Sequence, residues 1–178
     1  MKNKDEEKNK TYRKESLKQE INQPYIRLHG PKETTLITTK FNKKENVLAV
    51  AWHMPCSFKP FLYVISIAKS RYSYLLIKRS KVFCVNFVPA SLKRKVLYCG
   101  TCSGKTHDKF KEASLKKRPC KYINCSYLAD ALAWLECEVI NEVETGDHVL
   151  FIGKVLYAAK QKEAKRLYHV ELDQFVQI

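Results

Sequence analysis

The sequence contains no run approaching the ~18 consecutive apolar residues that cross a bilayer, and its first ten residues, MKNKDEEKNK, are too polar for a secretory signal. Both absences point to a soluble, cytoplasmic protein that does not enter a membrane. Internal repeats are missing, as is the Gly-x-Gly-x-x-Gly fingerprint of dinucleotide binding. A disulfide framework is not expected either. The seven cysteines are odd in number, and most sit inside apolar runs, such as Cys84 in KVFCVNFV and Cys137 in AWLECEVI, where a free thiol acts as a small hydrophobe.

Several partial motifs fail on spacing or context. CSGKT looks like the end of a P-loop, but that motif needs a glycine where Cys99 stands. Ser103, His107 and Asp108 are close in sequence, yet no nucleophile elbow surrounds Ser103. Cys99-Gly-Thr-Cys102 has the spacing of a redox pair, but a helical pattern precedes it and a Ser-Gly turn follows. With Cys120 and Cys125 it approaches a structural zinc pattern without matching it, so unpaired thiols around a turn and no metal are expected.

What is present is a chain of 178 residues, 45% hydrophobic, long enough for one domain with a sizeable core. Residues 1–20 read as a charged, disordered tail, and residues 21–178 as the domain. A net charge of +15 and a pI near 9.5 raise the question of a polyanionic partner. The basic run Lys116-Lys-Arg118 reads as a solvated face, no nucleic-acid signature accompanies it, and most aromatics lie in apolar strands. A basic nucleic-acid-binding barrel is therefore the weakest of the readings kept open.

Strand texture dominates. Thr34–Thr39 is β-branched, Val47–Trp52 and Leu62–Ile67 are apolar runs joined by the loop MPCSFKP, and KVFCVNFV is a further strand. Ala131–Glu144 alternates with period two, with Trp134, Glu136 and Glu138 on its polar side, and HVLFIGKVLYA follows after the turn Glu144-Thr-Gly-Asp147. Leu167–Leu172 and Phe175–Ile178 close the chain as a hairpin. Short helices are expected after Ser70, over about Ala90–Tyr98, and from His107 through KFKEASL, with KKRPC breaking the last. The expected architecture is mainly β, a closed or nearly closed antiparallel barrel, because closure removes edges that long apolar strands would leave bare.

Asn46–Ser73 stands out within this order. Ser66, Lys69, Ser70, Arg71 and Ser73 crowd the turn where a strand gives way to a helix, and free N–H groups with nearby cations favour an anion there. Cations at a helix start are disfavoured by the dipole unless an anion accompanies them.

Asn46…Trp52 with its Pro loop, Ser66…Arg71-Tyr-Ser73, Cys99-Gly…Ser103-Gly…Asp108-Lys-Phe110, Leu135-Glu-Cys137 and Gly146-Asp-His148…Gly153-Lys-Val155 occur in an order that resembles the flavin reductase-like family, which includes the flavoredoxins. The resemblance covers about residues 24–178. It implies a split β-barrel of Greek-key type that binds FMN near the interface of a homodimer. It also implies reduction by NAD(P)H or a protein donor, and transfer to free flavin, a metal ion or a protein acceptor. A non-catalytic electron carrier built on the same site is the alternative. Carried over by position, Asn46 and Trp52 would flank the isoalloxazine, and Ser66, Lys69, Arg71 and Ser73 would hold the phosphate. Lys109 and His148 would approach the flavin, and Phe175 would fall near the ring. Ser73 stands where the family pattern often has threonine, which keeps the hydroxyl.

Overall fold

A computed structural model describes residues 30–171 and 174–178; the expected tail and the start of the expected domain lie outside the described residues. The elements in chain order are β1 (Lys32–Glu33), β2 (Thr35–Phe41), β3 (Lys44–Val50), β4 (His53–Phe58), β5 (Phe61–Ala68), α1 (Tyr72–Ser80), β6 (Val82–Phe87) and, after a 3-10 turn over Ala90–Leu92, α2 (Lys93–Thr101). There follow α3 (Lys109–Glu112), β7 (Lys117–Pro119), β8 (Ser126–Leu128), β9 (Ala133–Thr145), β10 (His148–Lys160), β11 (Leu167–Glu171) and β12 (Gln174–Gln177).

Seven strands form one antiparallel sheet in the order β3-β2-β6-β9-β10-β5-β4. β1, β11 and β12 make a small second sheet, and β7 pairs with β8 alone. The large sheet curls until Leu48 and Val50 of β3 join Tyr63, Ile65 and Ile67 of β5 in one core with Phe83, Cys137 and Phe151. Its end strands β3 and β4 are not hydrogen-bonded neighbours, so side chains rather than a ladder close the interior. The fold is a split barrel.

Other side chains of β2 and β3, including Leu36 and Val47, pack with Val96 and Cys99 of α2, Phe110 of α3 and Leu115 in a second core. Being covered on both faces explains why Thr35–Thr39 is buried without a break, in place of the alternation of a half-exposed strand. Gly153 of β10 sits where the barrel is tightest. A Cβ there would stand 2.6 Å from Cζ of Phe83 and 2.8 Å from Cβ of Cys137, and the β9 register shifts between Ile152 and Gly153.

Three expectations are corrected. MPCSFKP is not a loop, since most of it forms β4, so β4 lies between the two runs read as joined by a loop. Pro55 is tolerated because β4 is an edge strand, hydrogen-bonded to β5 alone, where a missing N–H costs no ladder bond. KKRPC contributes β7 rather than a mere helix break, and the preceding helix has only four residues. The helix after β5 is capped at Arg71, not Ser70.

One partly buried pair ties stability to pH. Nδ1 of His53 lies 2.6 Å from the Tyr63 hydroxyl and Nε2 lies 2.9 Å from the Glu33 carbonyl oxygen. The carbonyl can only accept, so Nε2 carries the proton and Nδ1 accepts from Tyr63. Burial pushes the His53 pKa down, against smaller opposing effects of the Glu33 carbonyl and carboxylate. The unfolded chain then takes up the proton first as pH falls through about 6.5. Stability should fall from pH 7.5 to 5.5, and His53→Gln should shrink the Tm difference between those conditions. An unchanged difference would assign the pH dependence to other groups.

Candidate functional site

The start of α1 is an open turn of a kind that suits an anion, a candidate cradle. β5 ends at Ala68, whose carbonyl accepts from the Arg71 N–H at 2.9 Å, and the Arg71 carbonyl accepts from the Tyr74 N–H at 3.0 Å. Arg71 is extended (φ −79, ψ 136) and makes no side-chain cap bond, and the first turn contains no acidic residue. The first helical N–H groups therefore have no carboxylate cap, while the exposed Arg71 side chain stands beside them.

Behind this turn lies a buried polar cluster. Asn46 of β3 donates from Nδ2 to the Ser73 hydroxyl at 2.8 Å, and both residues are almost fully buried. Gly104 closes over the amide so tightly that a Cβ there would stand 2.0 Å from Oδ1 of Asn46. Lys109, first residue of α3, is only 2% exposed. Its ammonium donates to the Cys99 carbonyl at 2.7 Å and the Val47 carbonyl at 3.1 Å. Among the described residues no carboxylate pairs with it. Burial lowers its pKa, against smaller opposing effects of Cys99 and Cys102, and the nearby Arg71 cation lowers it slightly further. Two cations converging without a carboxylate suit an anion from outside the chain.

A second cluster lies at the surface where β5 and β10 meet. Trp52, 39% exposed, stacks on His148 with ring centroids 4.8 Å apart, and the Lys32 ammonium stands 5.4 Å from the Trp52 ring. His148 opposes Ala68 across the ladder, and its Nδ1 lies 2.7 Å from the Asp147 carboxylate. Ser66 is half-buried, and its N–H donates to the Trp52 carbonyl at 2.9 Å. Lys69 donates its N–H to the Asp147 carbonyl at 2.9 Å and its ammonium pairs with Glu144, also at 2.9 Å.

The structure thus gathers Asn46, Ser73, Lys109 and Arg71 in one group and Trp52, Ser66, Lys69 and His148 in another. Lys69 and Arg71 share the turn that connects the groups. Asn46 bonds to Ser73, whereas Trp52, six positions further along the chain, stacks on His148. Phe175 packs on the second core beneath the Lys93 ammonium. Lys109, which by sequence is an ordinary helix lysine, is buried because α3 folds onto β3. In the sequence Gly104 and Asp147 figure only as members of turn motifs, Ser103-Gly and Gly146-Asp-His148, and Lys32 in none. Cys99 is buried and Cys102 half-buried, both as free thiols.

The Flavin reductase like domain family matches residues 28–175. An uncharacterised protein of Archaeoglobus fulgidus is 38% identical over 127 residues, 71% of either chain. Among solved structures, an FMN-binding protein from Thermus thermophilus with bound 1-cyclohex-2-enone superposes with a TM-score of 0.79 at 21% identity, covering 87% of this chain and 90% of that one. Flavoredoxin of Desulfovibrio vulgaris (Miyazaki F) gives 0.76 at 20% identity, covering 83% and 87%. These two likenesses speak to the fold, while the sequence match spans nearly all of the described barrel. On that match, made over the residues that build both clusters, the chain belongs to the flavin reductase-like family of split barrels.

Proposed function

We propose that the protein is an FMN-dependent oxidoreductase of the flavin reductase type. The observation that carries this reading is the buried Lys109 ammonium, bonded to carbonyls and set beside Arg71 at a helix start with no acidic cap. A phosphate would supply the missing negative charge.

Ser66, Lys69, Arg71 and Ser73 would hold the phosphate, with Asn46 fixing the Ser73 hydroxyl from behind. Lys109 would act as a buried counter-charge rather than as a direct ligand. The exposed Trp52 ring, stacked on His148, offers an apolar wall for the isoalloxazine. The Asp147 carboxylate orients His148, and the pair could place a donor beside a flavin whose reduced form carries negative charge. FMN, when bound, supplies hydride acceptance at N5 from NADH or NADPH and onward donation to free flavin, a metal ion or a protein acceptor. The chain's own work is to bind, orient and tune that group.

A homodimer is part of the same proposal. The free edge β4 shows Met54 at 60% and Phe58 at 92% exposure beside Trp52, and an apolar edge of this kind suits a second copy. Purified protein should be yellow or become so with added FMN, and anaerobic NADH or NADPH should bleach it. A chain that takes up no FMN would sink the proposal. Binding without bleaching by either nucleotide would leave a flavin carrier fed by a protein donor.

A further inference from the structure

On the outer face of the barrel, four aromatic rings that belong to neither cluster form a continuous row. Tyr127 stacks on Trp134 with centroids 4.1 Å apart and planes 4° from parallel. Trp134 is 6.3 Å from Tyr157, and Tyr157 is 5.5 Å from Tyr122. Each end of the row carries a cation. The Lys121 ammonium lies 5.2 Å from the Tyr122 ring and 5.7 Å from the Tyr157 ring. Arg118 is directly opposite Tyr127 in the β7–β8 ladder, and residues so paired share a face. Lys117, its neighbour, reaches the other way, to Glu45 and over Phe110.

The row is held in place from beneath. Glu136 is 1% exposed, and its carboxylate accepts from the backbone N–H of Lys121 at 3.0 Å, of Tyr122 at 2.7 Å, and from Nε1 of Trp134 at 3.4 Å. This fixes the loop backbone, so the Lys121 and Tyr122 side chains need little further ordering to meet a ligand. Packing alone would account for Tyr127 and Trp134, which seat the hairpin on the sheet. It does not account for Tyr122, which is 55% exposed with a cation over it.

We propose that this row is a docking surface for single-stranded nucleic acid, independent of the flavin site. Aromatic faces accept bases without regard to sequence, and the flanking cations meet phosphates. The chain's +15 charge supplies long-range attraction. The cations at the ends of the row disfavour a second copy on this face, and rings carried on strands and a loop lack the amphipathic helix by which proteins usually lie on lipid.

The test is fluorescence anisotropy with labelled twelve-nucleotide oligo(U) and oligo(dT) on the full chain. Binding to either, weakening as salt rises, is expected, and the ratio of the two affinities tells RNA from DNA. Tyr122→Ala should weaken binding about 5- to 100-fold, with Tyr122→Leu behaving alike if loss of the ring rather than of packing is responsible. Arg118→Glu with Lys121→Glu should weaken binding and flatten the salt dependence. Lys93→Glu with Arg94→Glu, an equal charge change on exposed positions of α2, should do far less. Absence of binding at low salt overturns the proposal. So do equal losses from the two charge-reversed pairs, indifference to both Tyr122 variants, or binding to phosphatidylserine vesicles that oligonucleotide does not displace. Flavin absorbance of the same samples reports separately on the other site.

Discussion

Arg71→Ala should weaken FMN binding about 10- to 100-fold, the worth of one or two charge-assisted hydrogen bonds, while leaving riboflavin, which lacks the phosphate, almost unaffected. The difference between the two ligands is the informative quantity. Arg71 is exposed at the helix start, so screening should place its effect at the upper end in low salt and the lower end in high salt. Titrating apoprotein by quenching of flavin fluorescence gives both affinities. Equal losses for FMN and riboflavin would mean that Arg71 meets the ring or merely shapes the turn, and the phosphate assignment would fail. Lys109→Met at the neighbouring position is a harsher change, because it leaves the Val47 and Cys99 carbonyls without their donor. It tests folding as much as binding, which is why Arg71 is the cleaner probe.

Gly153→Ala should destabilise the protein by about 1–3 kcal/mol through overpacking. The added carbon would enter the space of the Phe83 ring and the Cys137 Cβ, at 2.6 and 2.8 Å, and both of those residues are fully buried. For a domain of this size each kilocalorie lowers Tm by about 2–4 °C. Phe83→Leu carries its own cost in lost packing. Combined with Gly153→Ala it should be less damaging than the sum of the two single changes, because the smaller side chain admits the methyl. A Gly153→Ala protein with unchanged Tm, or strict additivity in the pair, would show that β10 shifts to make room and that the close approach is not a constraint.

The strands that sequence reveals are those whose neighbours are implied by their own pattern. β10 is legible in HVLFIGKVLYA and β9 in its alternation, since each is long and follows the other across a Gly-Asp turn. β2 is legible through β-branched content, although its burial on both faces depends on α2 arriving from sixty residues away. β4 was hidden because proline reads as a breaker unless the strand is known to be an edge, and edge position is a property of the assembled sheet. Glu136 was expected on an exposed side, and its burial arises only when the Lys121–Tyr122 backbone folds over it. The turn proposed as an anion cradle was legible as far as it is local, in Lys69, Arg71 and Ser73. The Lys109–Val47 and Asn46–Ser73 bonds were not, because both are contacts across more than twenty residues. The resemblance to a family brought Lys109 and His148 into consideration without saying where they would lie. In the structure Lys109 bonds to the Val47 and Cys99 carbonyls, and His148 stacks on Trp52.

The seam left where β3 and β4 fail to join has a thermodynamic consequence. A strand hydrogen-bonded on one flank, and carrying Pro55, is the part of the large sheet with least to lose by detaching. Whatever covers that flank therefore adds its binding free energy to the folded side of the equilibrium. If the cover is a second copy, as proposed above, resistance to unfolding becomes a function of how much protein is in the tube. Dilution then does to this barrel what heating does to a closed one.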